Sequence, residues 1–468
     1  MACVLLLVLA LVVAEWGGLR IQVAGVRFAA TSVARALLGA VLLGLVRHVF
    51  VPRPPIYRDL PVRLATSWRK RSSASRAAWA ALLGTRPAVL FVGYLAVVMF
   101  GYSHNGPPLR ISPNEVANLQ VRWDAAWYFG IANEGYRYWS TRTTDQQNIV
   151  FFPALPTLMR VGGRLLGRTA TSLFLAGTLI TLGAFFWALT FLYRLVSEML
   201  GNEDAARSSV WLLATYPFAL FYGAVYTESL FLLGAVAAFY RLNRGEYVRA
   251  GLWGLLVGLT RPNGCFLSIP LAMVAAGPWL PRWLAGPLNT RRPGQCAAPQ
   301  PSSIGPAIVA AAMPGVGVLL YSAYIWQLTG YPFTWATGHA AWGREYQGLA
   351  TLVTDRWMWL TSAGVYKYTS ELPNDLLNAL GALFVVVAAW PVWFRLGPPY
   401  AVFILINILP PLAAGGMLSA GRFSSVLFPA FVWLATAIPA RQRPGWNATF
   451  MAIQALNASL FYTWRDLY

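Results

Sequence analysis

Among its charged residues this chain is poorest in acids: 16 Asp and Glu stand against 36 Lys and Arg in 468 residues, a formal net charge of +20. Lysine is confined to Lys70 and Lys367, so arginine carries nearly all of the positive charge. That excess, with abundant Ala, Gly and Pro, fits the codon bias of a GC-rich genome such as an actinobacterium's. Cys3, Cys265 and Cys296 are odd in number and scattered, so neither a disulfide framework nor a thiolate metal site is implied. His48, His104 and His339 are equally isolated. No HExxH, CxxC, GxxxxGK[ST] or GxGxxG pattern occurs, so zinc hydrolysis, thiol redox, nucleotide hydrolysis and dinucleotide oxidation lack their parts. The basic residues fall in short clusters between apolar runs rather than along one amphipathic face, which argues against nucleic acid as a partner. A separate soluble domain is also missing. The longest hydrophilic stretch, 103–168, is interrupted by aromatic and proline motifs, and a domain needs roughly 50 residues or more with a core of its own.

What the chain has instead is apolar length. Hydrophobic residues make up 57% and charged residues 11%, a balance no soluble fold can bury. Apolar runs fall near 1–14, 31–50, 87–102, 169–194, 206–223, 226–243, 250–278, 304–327, 376–395, 399–418, 424–438 and 447–464. The reading is an all-α polytopic membrane protein with about 11–13 transmembrane helices. The first run has neither a basic n-region nor a small-residue cleavage site, so it reads as a membrane segment.

Loop charge orients the bundle. Residues 51–86 carry Arg53, Arg58, Arg63, Arg69, Lys70, Arg71, Arg76 and Arg86 against Asp59 alone, which places this loop in the cytoplasm and 103–168 outside. If the run 250–278 is broken at Thr260-Arg261-Pro262-Asn263-Gly264, then Arg282, Arg291 and Arg292 return to the cytoplasm and 328–375 lies outside. The chain thus divides into N-terminal membrane segments with a basic loop, 1–86, and a main membrane module, 87–468. Trp- and Tyr-rich outer loops with prolines predict interfacial helices on the outer face.

The scarce polar groups collect in those outer segments. Asp124 sits in Arg122-Trp123-Asp124-Ala125-Ala126-Trp127-Tyr128, directly after an apolar span, and an acid there calls for chemistry or substrate binding. Glu228 opens an apolar helix, where the dipole alone would favour it; its other reading is to orient a substrate hydroxyl or an arginine. Arg261 interrupts an apolar run beside Pro262 and Gly264, so a snorkelling role fits it less well than an anionic ligand. Arg422 has the same character. Arg122, Trp123, Tyr226 and Asn263 flank these groups as substrate-binding candidates. His339, alone in the second outer loop, joins them, although its plain reading is structural or solvated.

Arg122-Trp123-Asp124 with Gly135-Tyr136, then Phe151-Phe152-Pro153, Tyr226-Thr227-Glu228-Ser229-Leu230-Phe231 and Thr260-Arg261-Pro262-Asn263-Gly264, in this order, resemble the PIG-V-type mannosyltransferases of the GT-C superfamily. The chain departs from that pattern in having Arg-Pro-Asn-Gly in place of Arg-Ser-Asn-Gly, and in residues 1–86. The resemblance implies a GT-C-type bundle and inverting transfer of mannose from polyprenyl-phosphate-mannose. The residues lead to the same donor, since a transferase without a nucleotide-sugar domain must take its sugar from the bilayer. In such a reaction Asp124 is the expected base, Arg261 the expected partner of the leaving phosphate with Arg422 second, and Glu228 the group that orients acceptor or arginine. The expected acceptor is an envelope glycan, glycolipid or glycoprotein outside the plasma membrane, and no metal cofactor is implied. The competing reading is a transporter or lipid-linked sugar flippase, which also uses broken helices and intramembrane charge.

Overall fold

The computed structural model describes residues 2–16, 19–23, 26–50, 66, 71–103, 106–107, 109–167, 169–277 and 304–467. Arg53, Arg58, Asp59, Arg63, Arg69, Lys70, His104, Arg282, Arg291, Arg292 and Cys296 lie outside the described residues. The fold is a helical bundle. Among the described residues, six helices are long and apolar enough to cross a membrane: Val33–Phe50, Ser73–Phe100, Ala170–Leu200, Ile304–Thr329, Pro373–Arg395 and Pro398–Gly415. Most other expected spans appear as shorter helices set around breaks, among them Glu203–Thr215, Glu228–Asn243, Tyr247–Gly258, Ser268–Ala276 and Phe428–Ala437. Outward-facing Phe91, Met99, Trp187, Leu319 and Trp390 are each at least half exposed, a surface suited to lipid. One element departs from an all-helical expectation: Leu19–Val23 and Val26–Ala30 pair as a short antiparallel ribbon.

Small residues set the helix packing, as they do where lipid removes the hydrophobic drive between helices. A Cβ on Gly251 would meet Ala310 and Met313, and one on Gly258 would meet Pro314 and Gly317, so Tyr247–Gly258 lies flush along Ile304–Thr329 in the same direction. By Ser268 the chain has come back to the same level, because Ser268 Oγ accepts a hydrogen bond from Gly315 N at 3.2 Å. The interruption at 260–264 is therefore a real break. Gly264 makes it possible, since a Cβ there would lie 2.3 Å from the Val257 carbonyl oxygen. Gly264→Ala is expected to lower thermal stability by about 1–3 kcal/mol, the cost of forcing rigid backbone apart. A melting temperature equal to the parent's would show that the break tolerates a side chain.

Two expectations change. Arg86 is not a loop charge: the Ser73–Phe100 helix runs unbroken across the 86/87 boundary, and Arg86 is buried within it. Its Nη2 donates to Ala214 O at 2.8 Å and to Gln454 Oε1 at 3.2 Å, and its Nη1 donates to Ala219 O, which satisfies carbonyls freed where the Glu203–Thr215 helix ends. Arg76 lies on the first turn of the same helix. Loops 103–168 and 328–375 do meet, with Gln146 Nε2 3.4 Å from Ala341 O and Trp127 against Trp342 at 5.2 Å between ring centroids. Between the long helices, Ala154–Leu165 buries Leu155, Met159 and Gly163 while leaving Leu158, Val161 and Leu165 exposed, as an interfacial helix would.

Candidate functional site

Where those loops meet, four elements deliver four charges. Asp124 stands at the start of the Ala125–Glu134 helix, after Trp123 at φ 49°. Arg422 lies in Ala420–Ser425, after Ser419 at φ 61°. A left-handed non-glycine residue stores backbone strain, and here it turns both charged helices inward. Trp123 is held in place by its indole Nε1 donating to Phe461 O at 3.1 Å and by its packing on Trp464. The Asp124 carboxylate makes no capping bond to its own helix, which leaves it free to face Arg422.

The charges form a chain. Arg422 Nη1 lies 2.8 Å from Asp124 Oδ2, Arg422 Nε lies 3.2 Å from Glu228 Oε1, and that same oxygen lies 3.0 Å from Arg261 Nη2. Arg261 Nη2 also donates to Thr227 Oγ1 at 3.0 Å. Its guanidinium sits over Phe231 at 4.9 Å, and that of Arg422 over Tyr226 at 5.3 Å. Glu228 is 1% exposed, whereas the side chains of Asp124 and Arg422 are 18% and 16% exposed, so the cluster opens on the Asp124 side. Two donors remain unspent: Arg261 Nε and Nη1 are buried without a hydrogen-bond partner among the described residues. Buried cationic donors in this state attract an anion.

The structure brings Asp124, Tyr226, Glu228, Arg261 and Arg422 together and gives the other candidates different work. Arg122 is sealed at 1% exposure, with Nε on Tyr462 O at 2.8 Å, Nη1 on Asn118 O and Val121 O, and Nη2 on Tyr102 Oη at 3.2 Å. With four of its five N–H groups committed, it braces the motif. The Tyr226 hydroxyl accepts the Asp124 backbone N–H at 3.1 Å, so it positions the acid. Asn263 Nδ2 donates to Asn407 Oδ1 at 3.1 Å and ties the break to the Pro398–Gly415 helix. His339 Nδ1 pairs with Trp335 O at 2.7 Å, and burial pushes its pKa down to about 4, so the ring is neutral at pH 7. The other motifs act as struts: Tyr136 Oη donates to Phe151 O at 2.7 Å, and Ala154 N to Leu259 O at 2.9 Å. Sequence reading passed over Arg344, whose guanidinium shares the Phe423 ring with that of Arg422.

Residues 110–275 match the family model described as mannosyltransferase (PIG-V). The matched segment holds Asp124, Tyr226, Glu228, Arg261 and Asn263; Arg344 and Arg422 lie beyond it. A comparison with curated proteins finds no match. Among solved structures, the chain is similar to the archaeal oligosaccharyltransferase AglB from Archaeoglobus fulgidus in complex with an inhibitory peptide and a dolichol-phosphate. The identity is 14%, over 81% of this chain and 55% of that one, with a TM-score of 0.37. The apo form of the Archaeoglobus fulgidus oligosaccharyltransferase gives 12% identity, 82% and 56% coverage and a TM-score of 0.37. The chain spans about half the length of these structures.

Proposed function

We propose, from the premise that residues 110–275 are a PIG-V mannosyltransferase segment, that the chain is a membrane mannosyltransferase using polyprenyl-phosphate-mannose as donor. The acceptor is a hydroxyl of an envelope glycan, glycolipid or glycoprotein on the outer face of the plasma membrane. One observation carries this reading: a single cluster pairs an accessible carboxylate, Asp124, with unpartnered buried donors on Arg261. Transfer from a sugar phosphate to a hydroxyl requires those two things, a base for the acceptor proton and a cation for the leaving phosphate.

In the proposed step the acceptor proton passes to Asp124 Oδ1, which makes no hydrogen bond to another described residue. The acceptor oxygen bonds to the anomeric carbon, and the bond from that carbon to the phosphate oxygen breaks with its electron pair remaining on the lipid phosphate. Arg261 Nε and Nη1 receive the phosphate oxygens. Glu228 works by holding Arg261 and Arg422. With Asp124 acting as base and not as nucleophile, displacement is single and configuration inverts, as the family resemblance implies. The arginines supply the positive charge, so the step calls for no metal. The outward orientation rests on the positive-inside rule, and the lipid donor on the membrane-bound setting of the cluster.

The donor assay tests this reading. Purified protein in nanodiscs is expected to transfer radiolabelled mannose from synthetic polyprenyl-phosphate-mannose to an envelope acceptor extract, with chelator leaving the rate little changed. GDP-mannose is expected to be inert. Transfer from GDP-mannose without a lipid intermediate would overturn the donor.

A further inference from the structure

The four-residue chain is electrically balanced, with Asp124 and Glu228 against Arg261 and Arg422. Arg344 adds a positive charge for which the cluster holds no further acid. The other cations of loop 328–375 have acids of their own: Arg356 meets Asp375 through Nε at 2.8 Å and Nη2 at 2.6 Å, and Lys367 lies 3.8 Å from Glu371. No carboxylate of the described residues lies within 4.0 Å of Arg344, whose side chain makes one hydrogen bond among them, Nη2 to Leu418 O at 3.3 Å. It is nonetheless placed with care. Its guanidinium lies over Phe423 at 5.1 Å, and Arg422 lies over the same ring at 5.6 Å. Gly415 leaves room for it, since a Cβ there would sit 2.9 Å from Arg344 Nη1. Two residues earlier, Trp342 packs on Trp127 and Phe151, and its buried Nε1 has no partner among the described residues. Burial, with the nearby Arg422, lowers the Arg344 pKa to about 10, which still leaves it charged at neutral pH. An arginine that shares an aromatic ring with Arg422 and has no carboxylate within ion-pair reach is the setting in which an anion binds.

We propose that Arg344 is a second phosphate-binding residue, reaching from loop 328–375 to hold, together with Arg261, the phosphoryl group of the lipid donor. The assignment rests on the transferase reading for the donor's identity. It does not need that reading for the site itself.

The test measures binding as well as turnover, with farnesyl phosphate, farnesol and inorganic phosphate as probes of the purified, detergent-solubilised protein by thermal shift and tryptophan fluorescence. The unaltered protein is expected to prefer farnesyl phosphate over farnesol by at least about tenfold, the scale of one charge-assisted contact. Arg344→Met, which keeps the stem on Phe423, is expected to melt like the parent and to bind farnesyl phosphate about tenfold more weakly, while Arg344→Lys loses less. In the transfer assay Arg344→Met should raise KM for the donor more than it lowers kcat. Unchanged farnesyl phosphate affinity in Arg344→Met would overturn the proposal. Inorganic phosphate binding as tightly as farnesyl phosphate would overturn the lipid assignment. An Arg344-dependent preference without any sugar transfer would support this site while removing the mannosyltransferase reading. Transfer with an unchanged donor KM in Arg344→Met would do the opposite.

Discussion

Asp124→Asn is expected to stay folded and to lose at least about 10²-fold in transfer rate, the low end of a general-base contribution. The fold does not depend on the charge: the Asp124 carboxylate makes no capping bond, and its backbone N–H is held by Tyr226 Oη whichever side chain follows. Arg422 keeps Glu228 and the Tyr226 ring when the carboxylate becomes an amide. The Asp124–Arg422 ion pair becomes a neutral hydrogen bond, and the ability to take a proton is lost. Single-turnover rates on variant and parent of matched melting temperature would check this, and near-normal turnover by folded Asp124→Asn would remove the residue from the mechanism.

The largest effect on stability should come from Glu228→Ala. One buried oxygen, Glu228 Oε1, faces both Arg261 and Arg422, so its removal leaves the buried Arg261 without an acid and Arg422 with Asp124 alone. Breaking a buried pair in this way costs about 3–5 kcal/mol, because the partner is left uncompensated. Glu228→Gln retains an acceptor in the same place and should fold in better yield, with reduced turnover because neither arginine is then held by a charge. Thermal melting in detergent separates the two variants. An alanine variant that melts with the parent would mean that the arginines find other partners.

Much of this was legible in the sequence because rare groups stand out against an apolar background. Asp124, Glu228 and Arg261 were visible as charges where membrane segments exclude them, and Pro262 and Gly264 marked a break that the structure contains. What failed to show was partnership over long sequence separations. Arg86 was counted as a loop charge because nothing local reveals that the carbonyls of Ala214 and Ala219 await it. Arg122 looked like a ligand donor until Tyr462, 340 positions away, came to supply the carbonyl it binds. Arg422 was read as the second candidate for the leaving phosphate, and nothing local showed that it bridges both acids. A partial signal for Arg344 did exist: the loop expected outside should be poor in arginine, and Arg344 has no acid three or four positions away, as Lys367 has in Glu371. The Leu19–Val23 ribbon and the shortness of many helices had no such signal, since apolar runs report length and not where a chain turns.

The central claim is a single displacement at one sugar carbon, assisted by one accessible acid. The measurement that tests it most directly is NMR determination of the anomeric configuration of the glycoside formed by purified protein from polyprenyl-phosphate-mannose of known configuration. Inversion relative to the donor is the predicted result. Retention, or movement of the donor across vesicles with no new glycosidic bond, would contradict it.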